Sequence, residues 1–189
     1  MTTNLDEHVL DAGRRALRRF GFQALTTERI AGEAGLSRVT LHRRGVSKDV
    51  ILGALTARAI EAYREALWPA LTGPGTGAER LEAALVALCE VAEDNLELLM
   101  ALGSQTDAVF HEEGQEDVLT RGVFTEPLER LLRDGAADGT LRRVDPIEAA
   151  TLVFNLVGWT YIHLRTGHRW DPDRARSNVI ELAVKGLTP

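Results

Sequence analysis

The stretch LTTERIAGEAGLSRVTLHRRGVSK, Leu25 to Lys48, decides the fold. It reads as two short helices joined by a tight turn. Thr26 and Thr27 are N-cap candidates for the first helix, because a short hydroxyl can accept from the free N–H groups of a first turn. Ile30, Ala31 and Ala34 give that helix a narrow apolar face. Gly35 can leave it at positive φ without steric cost. Leu36 fills the angle between the helices, and Ser37 can cap a second helix from Arg38 to Arg44. The small Ala31 lets the two helices cross closely, as a helix-turn-helix requires. The second helix of such a unit lies in the DNA major groove. Here it carries Arg38, His42, Arg43 and Arg44.

Charge is distributed in agreement with that reading. The chain of 189 residues is acidic, with net charge −6, which argues against general coating of nucleic acid. Residues 1–48 nevertheless hold nine Lys/Arg against five Asp/Glu, a net +4, and the remainder holds 13 against 23, a net −10. A basic head on an acidic body suits a protein that touches phosphate with one end. The single cysteine, Cys89, excludes an internal disulfide and fits a reducing cytoplasm. No apolar run approaches the ~20 residues of a membrane span. The first residues, MTTNLDEHVLDAG, lack the basic-then-apolar order of a signal peptide. The expectation is a cytoplasmic protein with no membrane partner.

The remaining sequence reads as helices. Val9, Leu10, Gly13, Ala16, Leu17 and Phe20 recur at helical spacing before Gly21 stops the first helix. Ser47-Lys48-Asp49 opens a long helix to Trp68, punctuated by Pro69 and the glycines of 72–77. Another is expected from Glu79 to Leu102, and one from Asp117 to Ala137 in which Pro127 forces a kink or a restart. Residues 103–116 are polar and contain glycine. Asp145-Pro146 and Asp171-Pro172 each pair a cap with a first-turn proline, so helices should run over 145–164 and 172–186. No strand alternation is present. The fold expected is all-α: a three-helix head carrying the helix-turn-helix, residues 1–50, and a larger helical body, residues 51–189, for ligand binding and dimerisation.

Helix 145–164 is apolar around its whole circumference, as a helix buried on several sides would be. It is either a central core helix or one with a second face on another copy of the chain. The last helix has a matching apolar stripe, and two such helices per subunit would make a four-helix bundle. Val153, Val157, Val179, Ile180, Ala183 and Val184 are the candidate interface residues.

Residues 9–51 resemble the TetR family of bacterial transcriptional repressors. The resemblance is carried by Val9-Leu-Asp-Ala, Phe20-Gly-Phe, Leu25-Thr-Thr, Ile30-Ala, Ala34-Gly-Leu-Ser37, Thr40-Leu41 and Ser47-Lys48. In the body, Asp138-Gly-Thr-Leu-Arg followed by Asp145-Pro matches more loosely. The resemblance implies an all-α homodimer on a near-palindromic double-stranded DNA operator. It also implies a C-terminal pocket whose small-molecule effector re-spaces the two heads and releases the DNA. One departure stands out. Members carry aromatic residues after Thr-Leu and a Phe before Ser-Lys, whereas this chain has His42-Arg43-Arg44-Gly45-Val46. That leaves two outcomes, a looser head or an operator read with more arginine. A helical ligand-binding dimer whose head lacks specific DNA binding is the rival function.

The candidate DNA contacts are Thr27, Ser37, Arg38, Val39, Thr40, His42, Arg43, Arg44 and Lys48. Arg38, His42 and Arg43 either read base edges or hold phosphates, and Val39 could meet a thymine methyl. Thr27 and Lys48 sit at helix starts, where backbone N–H groups favour phosphate. Trp68, Met100, Phe110, Phe124, Phe154, Asn155, Trp159 and His163 are candidates for a mostly apolar effector pocket. Asn155 is the polar member expected to be buried and to need partners. For any single one of them, plain core is the default reading. Cys89 reads as a buried small hydrophobe rather than a redox sensor. His111-Glu112-Glu113 and the His163/His168 pair lack metal-ligand spacing, and no phosphate loop or nucleophile elbow is present. No enzyme activity, metal or cofactor is expected.

Overall fold

The computed structural model describes residues 6–103 and 121–189, which form helices and turns with no strand among them. They divide into two compact units, residues 6–61 with 97–103, and residues 62–96 with 121–189. The boundary expected at residue 50 falls inside a helix that runs unbroken from Lys48 to Thr72.

The first unit is built on α1 (Glu7–Ala24), α2 (Thr27–Ala34), α3 (Arg38–Arg43), the start of α4 (Lys48–Thr72) and α6 (Leu96–Gly103). Asp6 caps α1 by accepting from His8 N–H. Gly21 breaks α1 at φ 72° and turns the chain so that Phe22 and Leu25 reach the core. Thr26 caps α2 by accepting from Arg29 N–H, so Thr27 is its first residue rather than its cap. Gly35 ends it in the left-handed region at φ 63°, with Leu36 N–H returning to Ala31 C=O at 2.9 Å. Ser37 caps α3 through Thr40 N–H. Leu17, Ile30, Leu41, Val46, Ile51 and Leu55 are buried together, and Leu98 and Ala101 of α6 complete the cluster. Gly45 takes φ 69° and Val46 N–H closes on Leu41 C=O at 3.0 Å. Val46 thus fills a core position within the segment where the family carries aromatics.

The second unit packs the end of α4, α5 (Gly77–Asp94), a π-helical turn (Arg121–Thr125), α7 (Glu126–Asp138), α8 (Pro146–Thr166) and α9 (Pro172–Lys185). Helix α5 lies against α7, α8 and α9. It buries Leu81, Ala84, Leu85, Leu88, Cys89 and Ala92. Its first residue, Gly77, touches Gly135 of α7. A β-carbon on Gly77 would lie 2.1 Å from Gly135 N and 2.2 Å from its Cα. The α5 N-terminus is capped twice. Thr76 and Glu79 form a reciprocal capping box. The end of α7 and the turn after it supply the rest: Asp138 accepts from Gly77 N–H at 2.6 Å and the Thr140 hydroxyl accepts from Ala78 N–H at 3.1 Å. The Asp138-Gly-Thr sequence is thereby explained by α5, the helix it caps. Asp145 and Asp171 cap α8 and α9 as their sequences predict. At the far end of α5, Glu93 accepts from the Tyr161 hydroxyl at 2.8 Å and twice from Arg165 of α8.

Several expectations change. Helix α4 passes through Pro69 to Thr72, because a proline one turn from a C-terminus removes a single helical bond and Gly73 N–H still reaches Pro69 C=O at 2.8 Å. The helix expected over 79–102 is two helices, broken at Asn95 (φ −126°, ψ 21°), whose amide turns back onto Val91 C=O. Pro127 gives a restart rather than a kink, standing in the first turn of α7 after the π turn. The part of the 117–137 helix before residue 121 lies outside the described residues. Helix α8 is not buried all round: Val153 and Val157 face the core of their own chain, whereas Leu152 and Leu156 are 69% and 51% exposed.

Two glycines with opposite surroundings give opposite expected outcomes. Gly77→Ala drives a methyl into backbone and is expected to cost about 3 kcal/mol, the upper range for overpacking. Gly53→Ala meets nothing within 4 Å on exposed α4 and should gain up to about 1 kcal/mol. Urea midpoints for both variants check this pair. Hydrogen bonds from the Thr140 hydroxyl and from the Gly77 and Thr140 N–H groups hold the Asp138 carboxyl below its ordinary pKa. A depressed carboxylate stabilises above its unfolded pKa and ceases to do so as pH falls through the folded value. Asp138→Asn should therefore be less stable than wild type at pH 7, and the difference should vanish below the ordinary range near ~4. Denaturation at stepped pH measures this.

Candidate nucleic-acid interface

Helix α3 is fixed from one side and presented on the other. Leu41 is fully buried, while Val39 is 66% exposed and His42 and Arg43 are exposed. Val39, His42 and Arg43 stand at i, i+3 and i+4, hence on one face. Ser37 and Thr40 are tied to each other, with their hydroxyls 2.8 Å apart. They hold the helix start and have less freedom to reach a base.

The other basic candidates already have partners. Arg38 Nη1 lies 2.7 Å from Glu28 Oε1, and Arg44 Nη1 lies 3.8 Å from Asp6 Oδ2. Lys48 donates to Phe22 C=O at 2.9 Å and stands 3.8 Å over the Phe22 ring. This ties the α4 start to the turn after Gly21. Arg43 has no ion-pair partner among the described residues. Exposed pairs such as Arg38–Glu28 are worth little and exchange readily, so Arg38 remains competent for DNA at the cost of releasing Glu28. Glu28 itself was not legible as a participant, since only the folded head brings it to Arg38. Thr27 is half-buried at the first turn of α2, whose leading N–H groups can receive phosphate.

The effector candidates scatter. Trp68, Met100, Asn155 and His163 are exposed. Asn155 was expected to be buried; instead its amide donates to Thr151 C=O at 2.8 Å on the outer face of α8. His163 meets His168 edge-on at 5.0 Å, and Trp159 is half-buried. Phe110 and His111-Glu112-Glu113 lie outside the described residues. Phe124 and Phe154 do come together, with centroids 5.2 Å apart, and Phe124 also stacks on Tyr63 at 5.5 Å. Tyr63 was missed because a tyrosine among the polar neighbours of α4 carries no periodic signal. Burial pushes the Cys89 thiol up to about 12, so it stays protonated and inert. Among the described residues no three His, Cys, Asp or Glu cluster to hold a metal, and no helix is long and apolar enough to cross a membrane.

Residues 9–55 match the sequence profile of bacterial regulatory proteins of the tetR family, and residues 74–187 match that of the tetracyclin repressor-like C-terminal domain. The chain therefore belongs to the TetR family of bacterial transcription regulators, with a helix-turn-helix DNA-binding domain and a C-terminal domain of the ligand-binding type. Solved structures share the fold. A TetR/AcrR-family regulator from Thermobifida fusca superposes with TM-score 0.74 at 22% identity over 95% of this chain and 96% of its own. PfmR from Thermus thermophilus gives 0.73 at 23% identity over 97% and 100%. AibR, in complex with isovaleryl coenzyme A and operator DNA, gives 0.70 at 16% identity over 93% and 96%. No curated protein matches the sequence.

Arg43→Ala and Lys48→Ala should separate base reading from phosphate holding. The expected result for Arg43→Ala is lost preference at particular bases, ~1–3 kcal/mol at each. Lys48→Ala should weaken all sequences alike and lower the salt slope by ~1 per head. Binding of each variant to a DNA pool selected with the wild type, at several salt concentrations, distinguishes them. An even loss for both would remove Arg43 as a base reader.

Proposed function

We propose that the protein is a homodimeric repressor that binds a near-palindromic operator and leaves it when a small-molecule effector occupies the body. The observation that carries this reading is α3, locked into the core through Leu41 while it offers Val39, His42 and Arg43 on one exposed face. One such helix reads too few bases to select a site. Two, related by symmetry, are placed in successive major grooves ~34–36 Å apart.

The proposed dimer face is the outer side of α8 and α9. Leu152, Leu156 and Leu182 are large apolar residues left exposed there, Leu182 at 73%. The interface residues expected from sequence lie elsewhere: Val153, Val157, Val179, Ile180 and Ala183 are buried within the chain and Val184 is half-buried. Helix periodicity reveals an apolar face but not whether its own chain already covers it. Helix α4 belongs to both units and is the proposed route from effector to head.

The rival reading, a ligand-binding dimer without specific DNA recognition, draws on the partners that Arg38, Arg44 and Lys48 already have. A gel shift at physiological salt decides between them, since enrichment of a near-palindrome from random DNA supports the repressor and uniform weak binding supports the rival. For assembly, Leu156→Glu and Leu182→Glu should turn a micromolar dimer into a folded monomer by placing unpaired charge in the bundle. Val179→Glu should instead unfold the chain. Sedimentation velocity with circular dichroism reads both, and a monomeric wild type would reject the assembly.

A further inference from the structure

Tyr63 holds a polar group that the fold does not use. It lies on the α4 segment of the second unit and is 1% exposed. Its hydroxyl has no hydrogen-bond partner among the described residues. A buried hydroxyl left unpaired loses its hydration without return. Phenylalanine would supply the same ring packing with no such loss, so nothing among the described residues accounts for the hydroxyl.

Two further observations converge on the same place. The Tyr63 ring stacks on Phe124 with planes 28° apart, and Phe124 meets Phe154 at 38°. The three form a ladder from a buried rung to two half-buried ones. Phe124 is carried on the π-helical turn Arg121–Thr125, a geometry concentrated at functional sites. The ring faces are already turned on one another, so the unmet group is the hydroxyl rather than a π surface.

We infer that Tyr63 is the polar anchor of an effector site in the body, its hydroxyl donating to the carbonyl or ether oxygen of an uncharged, aromatic-sized compound packed against Phe124 and Phe154. The inference rests on the ligand-responsive reading above and assigns its site. Burial raises the phenol pKa, so the group is a neutral donor at all physiological pH. A charged ligand would surrender its hydration to three rings and one hydroxyl, which cannot replace it. A ligand oxygen with no hydrogen of its own complements the donor, while the apolar remainder gains from burial.

The test uses the full chain and 6-propionyl-2-(dimethylamino)naphthalene, an uncharged probe with one ketone whose emission reddens when that ketone accepts a hydrogen bond. The wild type should bind it with hydrogen-bonded emission. Tyr63→Phe should bind it roughly 3- to 10-fold more weakly, the worth of one neutral hydrogen bond, with bluer emission. The same variant should be at least as heat-stable as wild type. No probe binding by wild type, equal affinity and emission in the two proteins, or a stability loss in the variant each overturns the anchor. The last would show that the hydroxyl is already satisfied in the fold. Gel shifts with and without probe read the parent hypothesis separately. Tyr63-dependent probe binding that leaves DNA affinity unchanged keeps the anchor and rejects regulation by that site. Altered DNA affinity without Tyr63 dependence does the reverse.

Discussion

The second unit is organised by the contact of two glycines. Where α5 begins beside α7, the Gly135 backbone lies so close that Gly77 can carry no side chain, and Gly135 in turn is covered by Leu141. A β-carbon on Gly135 would stand 2.5 Å from Leu141 Cδ1. Close approach without side chains brings polar backbone together, and the local sequence satisfies it. Asp138 and Thr140 take up the leading N–H groups of α5, and Arg80 pairs with Asp134 at 2.8 Å alongside. Leu141 then folds over Gly135, and Arg142 N–H reaches Leu187 C=O at 2.8 Å, which fixes the chain after α9. The crossing thus sets α5, α7 and the C-terminal turn by one shared geometry, and α8 packs onto the surface they make.

What was legible in the sequence is what short-range chemistry determines. Thr26, Gly35, Ser37, Asp145 and Asp171 act on backbone groups within a few residues, so each announces its turn or cap wherever the rest of the chain goes. Helix order and the helix-turn-helix followed from them. What was not legible depends on distant partners. The pairing of Arg38 with Glu28 exists only in the folded head, while the break at Asn95 and the passage of α4 through Pro69 turn on which local backbone bonds survive, a choice that residue preferences alone do not fix. The α8 stripe shows the limit most clearly, because Val153 and Leu152 are equally apolar and only the fold assigns one inward and one outward. Tyr63 was invisible for a related reason, since a hydroxyl without a partner is a property of its surroundings.

The head resolves its departure from the family in a simple way. The positions of the expected aromatics are taken by exposed His42, Arg43 and Arg44, with Gly45 turning the chain and Val46 supplying the apolar plug. The core is closed with a smaller residue. The surface gains cations, of which Arg44 is balanced by Asp6. Arg43 has no ion-pair partner among the described residues.

Leu98 and Ala101 carry a consequence for how the protein is made. They return to the core of the first unit after the chain has built α5 of the second. During synthesis the helix-turn-helix leaves the ribosome before α6, so its hydrophobic cluster lacks two buried members until position 101 has emerged. At ~5–20 residues per second, that is a delay of several seconds after Lys48. A nascent or truncated chain ending at Thr72 would contain the whole helix-turn-helix on a core that lacks Leu98 and Ala101. The core beneath the helix-turn-helix is therefore completed only once α5 and most of α6 have been made.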